Sequence, residues 1–273
     1  MELVVFDLDG TLLNRAGEIS AYTRETLAAL AGRGIAYTVA TGRTLHASRD
    51  LLGGHGFDLP QIFKNGVIVW DPALGDYSYR SCLTMAEIHQ VMDGAFALGI
   101  TPFVFTLEPG NRHAIYHTPL RNAVEERLKC DFIARTAVPV LPLSQIPADC
   151  EITNISALGE PGRVLALADQ ARDEPNLVAY TGTAQEGQAL RWIDIHHVDG
   201  SKGRAVEDLR LRLGLGKVIC FGDSDNDLSM FARADESYAP ANAADSIREA
   251  ATAVIGHHDE DGIAHFLRER FSL

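Results

Sequence analysis

The chain has 273 residues, of which 46% are hydrophobic, and carries a formal net charge of -13. This length and composition predict a substantial buried core and two domains. The negative charge repels phosphate backbones and anionic membrane surfaces, so we expect neither nucleic acid nor membrane lipid as a partner. The four cysteines form no CxxC pair and predict neither a zinc knuckle nor a disulfide framework. Without a basic leader or an apolar run near the ~18 residues of a membrane span, we expect a cytoplasmic protein.

Short apolar runs near the two ends of the chain predict buried strands, and helical patterns separate several of them. In chain order, the predicted strands are residues 3–6, 36–40, 67–70, 217–221 and 252–255. The helical patterns are 20–33, which Gly34 ends, and 202–214. Alternating strands and helices predict an α/β fold with a Rossmann-like, doubly wound parallel sheet.

The middle of the chain has a different order of elements. Thr84 and Glu87 form a capping box that opens a helix, and two strands follow it. After the helix, the predicted elements are strands at 101–107 and 113–117, helices near 119–129 and 161–173, and strands near 177–181 and 190–195. We therefore predict an inserted α+β domain at residues 83–190, and a core domain that residues 1–82 and 191–273 build together.

The first predicted strand runs into two aspartates, Asp7 and Asp9, in the stretch "VVFDLDGTLL". Side chains of an extended chain alternate between faces, so we expect the two carboxylates to point the same way. Facing anions either share a proton or hold a cation, and both arrangements are typical of functional sites. The alternative is an ordinary strand end, because Asp-Gly is a common turn dipeptide.

Three further polar stretches lie where strands of the sheet should end: "VATGR" at 39–43, "DGSKG" at 199–203 and "FGDSDND" at 221–227. In a doubly wound sheet, ligands bind at the carboxyl ends of the strands. We therefore expect these stretches to converge with Asp7 and Asp9 in one pocket.

Thr41 and Gly42 offer a hydroxyl and a backbone N–H that suit a phosphoryl oxygen, although they could equally form an ordinary strand-ending turn. Lys202 stands at the start of a predicted helix, where its charge meets the positive end of the helix dipole. An anionic ligand would explain this position, and a solvated surface lysine is the alternative.

The acidic turn predicts a metal. If Asp223 and Asp227 face Asp7 and Asp9, their charges crowd the site, and Lys202 offsets only one of them. A divalent cation is then needed. Oxygen ligands, with room left for water and phosphate, favour Mg²⁺ over Ca²⁺.

The stretches "DLDGTL", "TGR", "SKG" and "GDSDND", in this order and with a long insertion between the second and third, resemble the four motifs of the haloacid dehalogenase superfamily. The insertion resembles the type IIB cap of the Cof-like subgroup. Further stretches similar to that subgroup are "NG" at 65–66, "NA" at 242–243 and "DEDGIA" at 259–264. The resemblance covers nearly the whole chain, and it implies a Mg²⁺-dependent phosphatase whose cap sets substrate specificity.

The resemblance also implies a role for each motif residue. Asp7 would attack phosphorus and form an aspartyl phosphate, while Asp9 would protonate the leaving alcohol and then activate water. Mg²⁺ would be held by the Asp7 carboxylate, the Asp9 backbone carbonyl and Asp223, with Asp227 at the ion or just behind its ligands. The residues that would bind or orient the phosphate or the substrate are Thr41, Gly42, Lys202, Asn65 and Asn226; the two asparagines could instead be polar turn residues without function.

The leading hypothesis is a Mg²⁺-dependent hydrolase of a small phosphorylated metabolite in the cytoplasm, such as a sugar phosphate. It leaves the substrate and the oligomeric state open. A phosphomutase of the same superfamily would share Asp7 and Asp9. A phospho-accepting switch or a phosphometabolite-binding regulator could use the same acidic pocket, but a switch needs neither Asp9 nor a cap of this size.

Overall fold

The computed structural model describes residues 2–136, 138–184 and 189–273, and of Arg135 only the backbone. The strands of the described residues, in chain order, are β1 (Glu2–Phe6), β2 (Ala36–Val39), β3 (Gln61–Phe63), β4 (Ile68–Asp71), β5 (Asp76–Arg80), β6 (Phe103–Glu108), β7 (Arg112–His117), β8 (Val140–Pro142), β9 (Glu151–Gly159), β10 (Leu177–Thr183), β11 (Arg191–His197), β12 (Lys217–Phe221), β13 (Glu236–Pro240) and β14 (Ala253–Ile255). The helices are α1 (Ala21–Gly32), α2 (Leu45–Leu52), α3 (Met85–Ala97), α4 (Ala123–Thr136), α5 (Pro161–Arg172), α6 (Lys202–Leu213), α7 (Leu228–Phe231), α8 (Asp245–Ala250) and α9 (Gly262–Phe271). Within the described ranges, each helix is too short or too polar to cross a lipid bilayer.

The chain divides into two compact units. The core unit is Met1–Arg80 with Gly200–Leu273, and the inserted unit is Ser81–Asp199. The predicted second boundary, between residues 190 and 191, differs from the observed one by nine residues. β11 follows that predicted boundary, yet it pairs antiparallel with both β9 and β10. Backbone hydrogen bonds therefore keep β11 in the inserted unit.

The core unit contains a five-stranded sheet in the order β14-β13-β12-β1-β2, in which all neighbours run parallel. The predicted α/β fold with a parallel sheet is thus confirmed. β1 lies between β12 and β2, so Phe6 has Phe221 on one side and Val39 on the other. Near-continuous apolar runs suit strands that are buried in this way. The residues that follow these three strands share one edge of the sheet.

The predicted strand at 67–70 does not join the parallel sheet. It forms β4 of a separate antiparallel sheet in the order β3-β4-β5. A tight turn at Lys64–Gly66 folds β4 back on β3, and Asn65 in this turn has a positive φ of 56°. A short apolar run indicates a buried strand but not the sheet to which it belongs, which is why the prediction was wrong here.

The inserted unit contains a six-stranded sheet in the order β10-β11-β9-β6-β7-β8, in which only β7 and β8 pair in parallel. Helices α3 and α5 pack on one face of this sheet through an apolar core that includes Ile193 and Ile195. Phe132 of α4 packs against Phe103 and Phe105 of β6 in a second apolar cluster. The unit is therefore an α+β sandwich, as its order of elements predicts.

Candidate active site

The site is built from loops that leave the carboxyl edge of the parallel sheet. Asp7 directly follows β1, and its N–H donates to the carbonyl of Phe221 at the end of β12 over 2.9 Å. Thr41 lies two residues after β2, and its N–H donates to the carbonyl of Ile62 in β3 over 3.0 Å. Because the strands are paired in register, backbone hydrogen bonds fix where each loop begins.

Asp7, Asp223 and Asp227 form a carboxylate cluster, in which one oxygen of each residue lies within 4.8 Å of the others. The Asp227 Oδ2 accepts the backbone N–H groups of Asp223 and Ser224 over 2.9 and 3.0 Å. The Thr11 hydroxyl donates to Asp223 Oδ1 over 3.0 Å. Asp7 and Asp227 are buried. The cluster thus consists of two buried carboxylates and one at its edge, each oriented by the protein.

Lys202 is fully buried inside this cluster, at the first position of α6. Its Nζ donates to Asp7 Oδ1 over 2.5 Å and to Asp227 Oδ1 over 2.6 Å. The alternative of a solvated surface lysine is therefore wrong, because Lys202 is fully buried and binds two carboxylates of the protein; its binding of an external anion stays a prediction. Three carboxylates face one ammonium here, which leaves an excess of two negative charges.

Burial, and after it the neighbouring charges, change the acidity of the cluster. Burial raises the pKa of Asp7 well above its usual range, and Asp227 and Asp223 add to this effect while Lys202 opposes it. Burial and the nearby Asp227 raise the pKa of Asp223 to about 6. Burial alone would lower the pKa of Lys202, but Asp227 and Asp7 hold it above its ordinary value. A cation among the carboxylates would favour their ionised forms.

The cluster fits a hard divalent cation on two grounds. Its candidate ligand atoms are all carboxylate oxygens, which Mg²⁺ prefers. When all three carboxylates are ionised, their charge exceeds that of Lys202 by two, which matches the charge of such an ion. In the part of the chain that the structure describes, no other group of His, Cys, Asp and Glu side chains meets the same distance criterion.

Asp9 does not join the carboxylate cluster. Its side chain is 62% exposed and forms a bidentate ion pair with Arg43, over 2.8 Å from Nε and 2.6 Å from Nη2. The expectation that the Asp7 and Asp9 carboxylates face each other is thus corrected. β1 ends at Phe6, and the chain then turns through Leu8–Leu12, so the alternation of an extended strand does not continue.

The turn after Asp7 requires glycine at position 10. Gly10 has a φ of 73°, and a Cβ there would lie 2.5 Å from Asp223 Oδ2. The Asn242 side chain donates to the Gly10 carbonyl over 2.8 Å, and His258 Nδ1 donates to the carbonyl of Leu13 over 2.6 Å. The late stretches "NA" and "DEDGIA", near these two residues, thus lie close to the turn that carries Asp9.

Arg43 is the site residue that the sequence analysis missed. Its position in the sequence could have revealed it. Arg43 lies two residues after Thr41, in the stretch "VATGR" that was expected to face the aspartates. Its N–H also donates to the Thr41 hydroxyl over 3.1 Å. Arg43 therefore connects the loop after β2 with Asp9.

The residues expected to bind phosphate lie together beside this loop. The Asn65 N–H donates to the carbonyl of Thr41 over 3.0 Å, and the Asn226 amide donates to Asn65 Oδ1 over 2.9 Å. A Cβ on Gly42 would lie 3.1 Å from the same Asn65 oxygen. Thr41, Gly42, Asn65 and Asn226 thus form one connected set. Their role in binding phosphate stays a prediction.

The chain is similar to known proteins over nearly its whole length. Residues 4–267 match the model of the haloacid dehalogenase-like hydrolase family. The chain is 29% identical over 287 residues to the 5-amino-6-(5-phospho-D-ribitylamino)uracil phosphatase YwtE of Bacillus subtilis, with 100% of this chain and 99% of the relative covered. A haloacid dehalogenase-like hydrolase from B. subtilis has a similar structure, with a TM-score of 0.80 and 22% identity over 98% of this chain and 99% of that chain. The subclass IIB sugar phosphatase BT4131 gives a TM-score of 0.78 and 20% identity over 100% of this chain and 99% of that chain.

Proposed function

Because the chain belongs to the haloacid dehalogenase-like hydrolase family and is a phosphatase, we propose that it hydrolyses a small phosphomonoester, such as a sugar phosphate, through an aspartyl phosphate on Asp7 and with Mg²⁺. The observation that carries the proposal is the carboxylate cluster of Asp7, Asp223 and Asp227 around the buried Lys202. We also propose that the enzyme acts in the cytoplasm, on neither nucleic acid nor a membrane surface.

Asp7 is the proposed nucleophile. Lys202 binds its Oδ1, and the other oxygen, Oδ2, has no hydrogen-bond donor among the described residues. Attack on phosphorus forms a bond from Asp7 to phosphorus while the bond from phosphorus to the leaving oxygen breaks. Lys202 supplies a fixed positive charge that favours the ionised, nucleophilic form of Asp7.

Asp223, the Asp7 carboxylate and the Asp9 backbone carbonyl are the proposed ligands of Mg²⁺, with Asp227 at the ion or behind these ligands. When bound, the ion supplies positive charge that draws the phosphoryl dianion toward an otherwise negative site. Asp227 accepts two backbone N–H groups and the Lys202 ammonium, so it holds the loop after β12 in place.

Asp9 is the proposed general acid and base. Arg43 orients the Asp9 carboxylate through two hydrogen bonds, and this carboxylate is the proposed acceptor of a proton from the water that hydrolyses the aspartyl phosphate. To donate a proton to the leaving alcohol, Asp9 must first be protonated and give up part of its contact with Arg43. Arg43 is thus a positioning residue that acts through Asp9.

The phosphoryl group would be bound by Lys202 and by the connected set of residues beside it. The members of this set are Thr41, Gly42, Asn65 and Asn226. We propose that the inserted unit, which contains the predicted cap at residues 83–190, selects the substrate. Positioning and charge neutralisation account for most of the rate gain in phosphoryl transfer, so few groups are needed.

The test is phosphate release from a panel of sugar phosphates, nucleotides, pyridoxal phosphate and phosphoglycolate, with and without Mg²⁺. We expect free phosphate from at least one member, no release with a chelator, and no release by Asp7→Asn. Asp93→Asn, an exposed aspartate on α3, is the matched control and should keep full activity. An isomeric phosphate in place of free phosphate would indicate a mutase, and no reaction across the panel would indicate a regulator.

A further inference from the structure

Two stretches near the end of the chain, "NA" at 242–243 and "DEDGIA" at 259–264, supply none of the proposed catalytic, metal-binding or phosphate-binding groups. Both belong to loops of the core unit that contact the turn at Leu8–Leu12 or the residue after it, through Asn242 and through His258, which directly precedes "DEDGIA". That turn carries Asp9. The two loops therefore bear on how Asp9 is positioned.

The backbone of the turn does not determine its shape alone. The N–H groups of Leu12 and Leu13 donate to the carbonyls five residues earlier, over 3.3 and 2.9 Å. Asp9 and Gly10 depart from helical geometry, with a ψ of 126° and a φ of 73°. A short turn with two such residues has few backbone hydrogen bonds of its own, so the groups that bind its remaining carbonyls help to fix it.

Two side chains bind carbonyls of this segment. The Asn242 Nδ2 donates to the Gly10 carbonyl over 2.8 Å, and the His258 Nδ1 donates to the Leu13 carbonyl over 2.6 Å. The two bound carbonyls are three residues apart and follow directly after Asp9. The backbone that leaves Asp9 is therefore held at two points.

Asn242 and His258 also bind each other. The His258 N–H donates to Asn242 Oδ1 over 3.1 Å, which leaves the amide nitrogen of Asn242 for Gly10. A side-chain amide that accepts on its oxygen and donates from its nitrogen has a single orientation. The two anchors therefore act as one connected pair.

The loop that carries His258 is itself fixed to the chain beyond the turn. The Arg15 N–H donates to Asp259 Oδ1 over 2.8 Å, and the Ser20 hydroxyl donates to Asp261 Oδ1 over 2.5 Å. Ser20 is also the N-cap of α1. His258 thus holds the Leu13 carbonyl from a loop with supports of its own.

We propose that His258 is a positioning residue for Asp9, which it holds through the backbone by donating to the Leu13 carbonyl. Arg43 binds the Asp9 carboxylate, whereas His258 and Asn242 fix the chain that carries it. An exposed ion pair is weak, so the pair with Arg43 does not fix Asp9 by itself, and a displacement of about 1 Å can cost 10²-fold in rate. This role deepens the proposed function and rests on it, since it takes Asp9 as the general acid and base.

The test compares His258→Leu with His258→Asn. The amide nitrogen of asparagine occupies the same place along the side chain as the histidine Nδ1, so this variant can keep the hydrogen bond to Leu13, whereas leucine removes it. At saturating Mg²⁺, we expect His258→Leu to lower kcat about 10- to 100-fold with KM nearly unchanged, and His258→Asn to keep most of the wild-type rate. His265→Leu, at an exposed histidine on α9, is the matched control and should change neither constant.

Further variants separate positioning from a general loss of structure. Asn242→Asp keeps the acceptor for the His258 N–H but loses the donor to Gly10, and it should lower kcat to a similar extent. In an Asp9→Asn background, His258→Leu should add little, because the group that it positions is already inactive. Hydrogen exchange in the peptide of residues 8–13 should increase in His258→Leu and not in His258→Asn, while the unfolding temperature falls by only roughly 2–4 °C.

Near wild-type kcat in both His258→Leu and Asn242→Asp would overturn the proposal. So would equal losses in His258→Leu and His258→Asn, or a loss that is fully additive with Asp9→Asn. Hydrogen exchange needs no turnover, so it tests the anchoring even if no substrate is hydrolysed. Unchanged exchange at the turn would refute the anchoring of a working phosphatase, whereas increased exchange there without any phosphate release by wild type would refute the proposed function alone.

Discussion

Replacing Lys202 by methionine should strongly destabilise the metal-free protein. The ammonium is fully buried and donates to Asp7 and Asp227, whose side chains are 7% and 0% exposed. Methionine keeps most of the volume but removes the charge and both hydrogen bonds. Removing one partner of a buried ion pair typically costs about 3–5 kcal/mol, because the other charge stays buried without compensation. At roughly 2–4 °C per kcal/mol for chains of about this size, the unfolding temperature should fall by roughly 6–20 °C.

The assay is urea unfolding of wild type and Lys202→Met in metal-free buffer, with added Mg²⁺ and at lower pH. Mg²⁺ should restore part of the lost free energy of unfolding, because it replaces the missing positive charge. Lower pH should also reduce the difference in the free energy of unfolding between wild type and Lys202→Met. An aspartate whose pKa is raised on folding binds more protons in the folded than in the unfolded state, so stability falls as pH rises through that window.

The matched control is Lys217→Met. The Lys217 side chain is 36% exposed and forms an ion pair with Glu236 at the surface, a type of pair worth about 0–1 kcal/mol. If Lys202→Met lost no more stability than Lys217→Met, the buried ion pairs would not hold the site loops together, and the reasoning about Lys202 would be refuted.

Four further results are expected. Asp9→Asn should lower turnover by ~10² to 10⁴, with a smaller loss for an aryl phosphate than for a sugar phosphate, and near wild-type steady-state rates would remove Asp9 from the mechanism. Arg43→Gln should lower turnover through Asp9, so it should add little in the Asp9→Asn background; independent, additive losses in the double variant would contradict this. Mg²⁺ affinity by calorimetry should fall as pH drops below about 6, because protons then compete for Asp223; equal affinities at low and neutral pH would argue against its role as a ligand. Gly66→Ala, at a φ of 99° and against the backbone before α6, should lower the unfolding temperature more than Gly17→Ala, which has a φ of 76° but open space around it.

The regular elements of the fold could be predicted where the local sequence determines them. The predicted strand at 217–221 coincides with β12, and the capping box at Thr84 opens α3 as expected. The helix predicted near 119–129 instead begins at Ala123, because the Asn122 side chain accepts the N–H groups of the two residues that follow Ala123. Such a cap depends on one side-chain rotamer, which an apolar pattern does not reveal.

The candidate site, like the fold, could be predicted from the sequence only in part. Asp7, Asp223 and Lys202 could be placed near one another because each follows or opens an element whose position in a parallel sheet is known in advance. The ion pair of Asp9 with Arg43 could not be predicted in this way. It depends on the turn at Leu8–Leu12, which begins directly after Asp7 and interrupts the extended conformation of β1. Side chains alternate between the two faces only within a strand, and β1 ends at Phe6, before both aspartates.

The different burial of Lys202 and Arg43 also explains why two different basic side chains pair with the aspartates of the site. Lys202 is fully buried between Asp7 and Asp227, so its ion pairs cannot be exchanged for water without a large cost. The Asp9 and Arg43 side chains are 62% and 29% exposed, and a pair of this kind can open and close for about 0–1 kcal/mol. A nucleophile needs a countercharge that stays, whereas a general acid and base must change its proton and its partner within each turnover. The fixed pair at Asp7 and the exchangeable pair at Asp9 are therefore what the two proposed roles require.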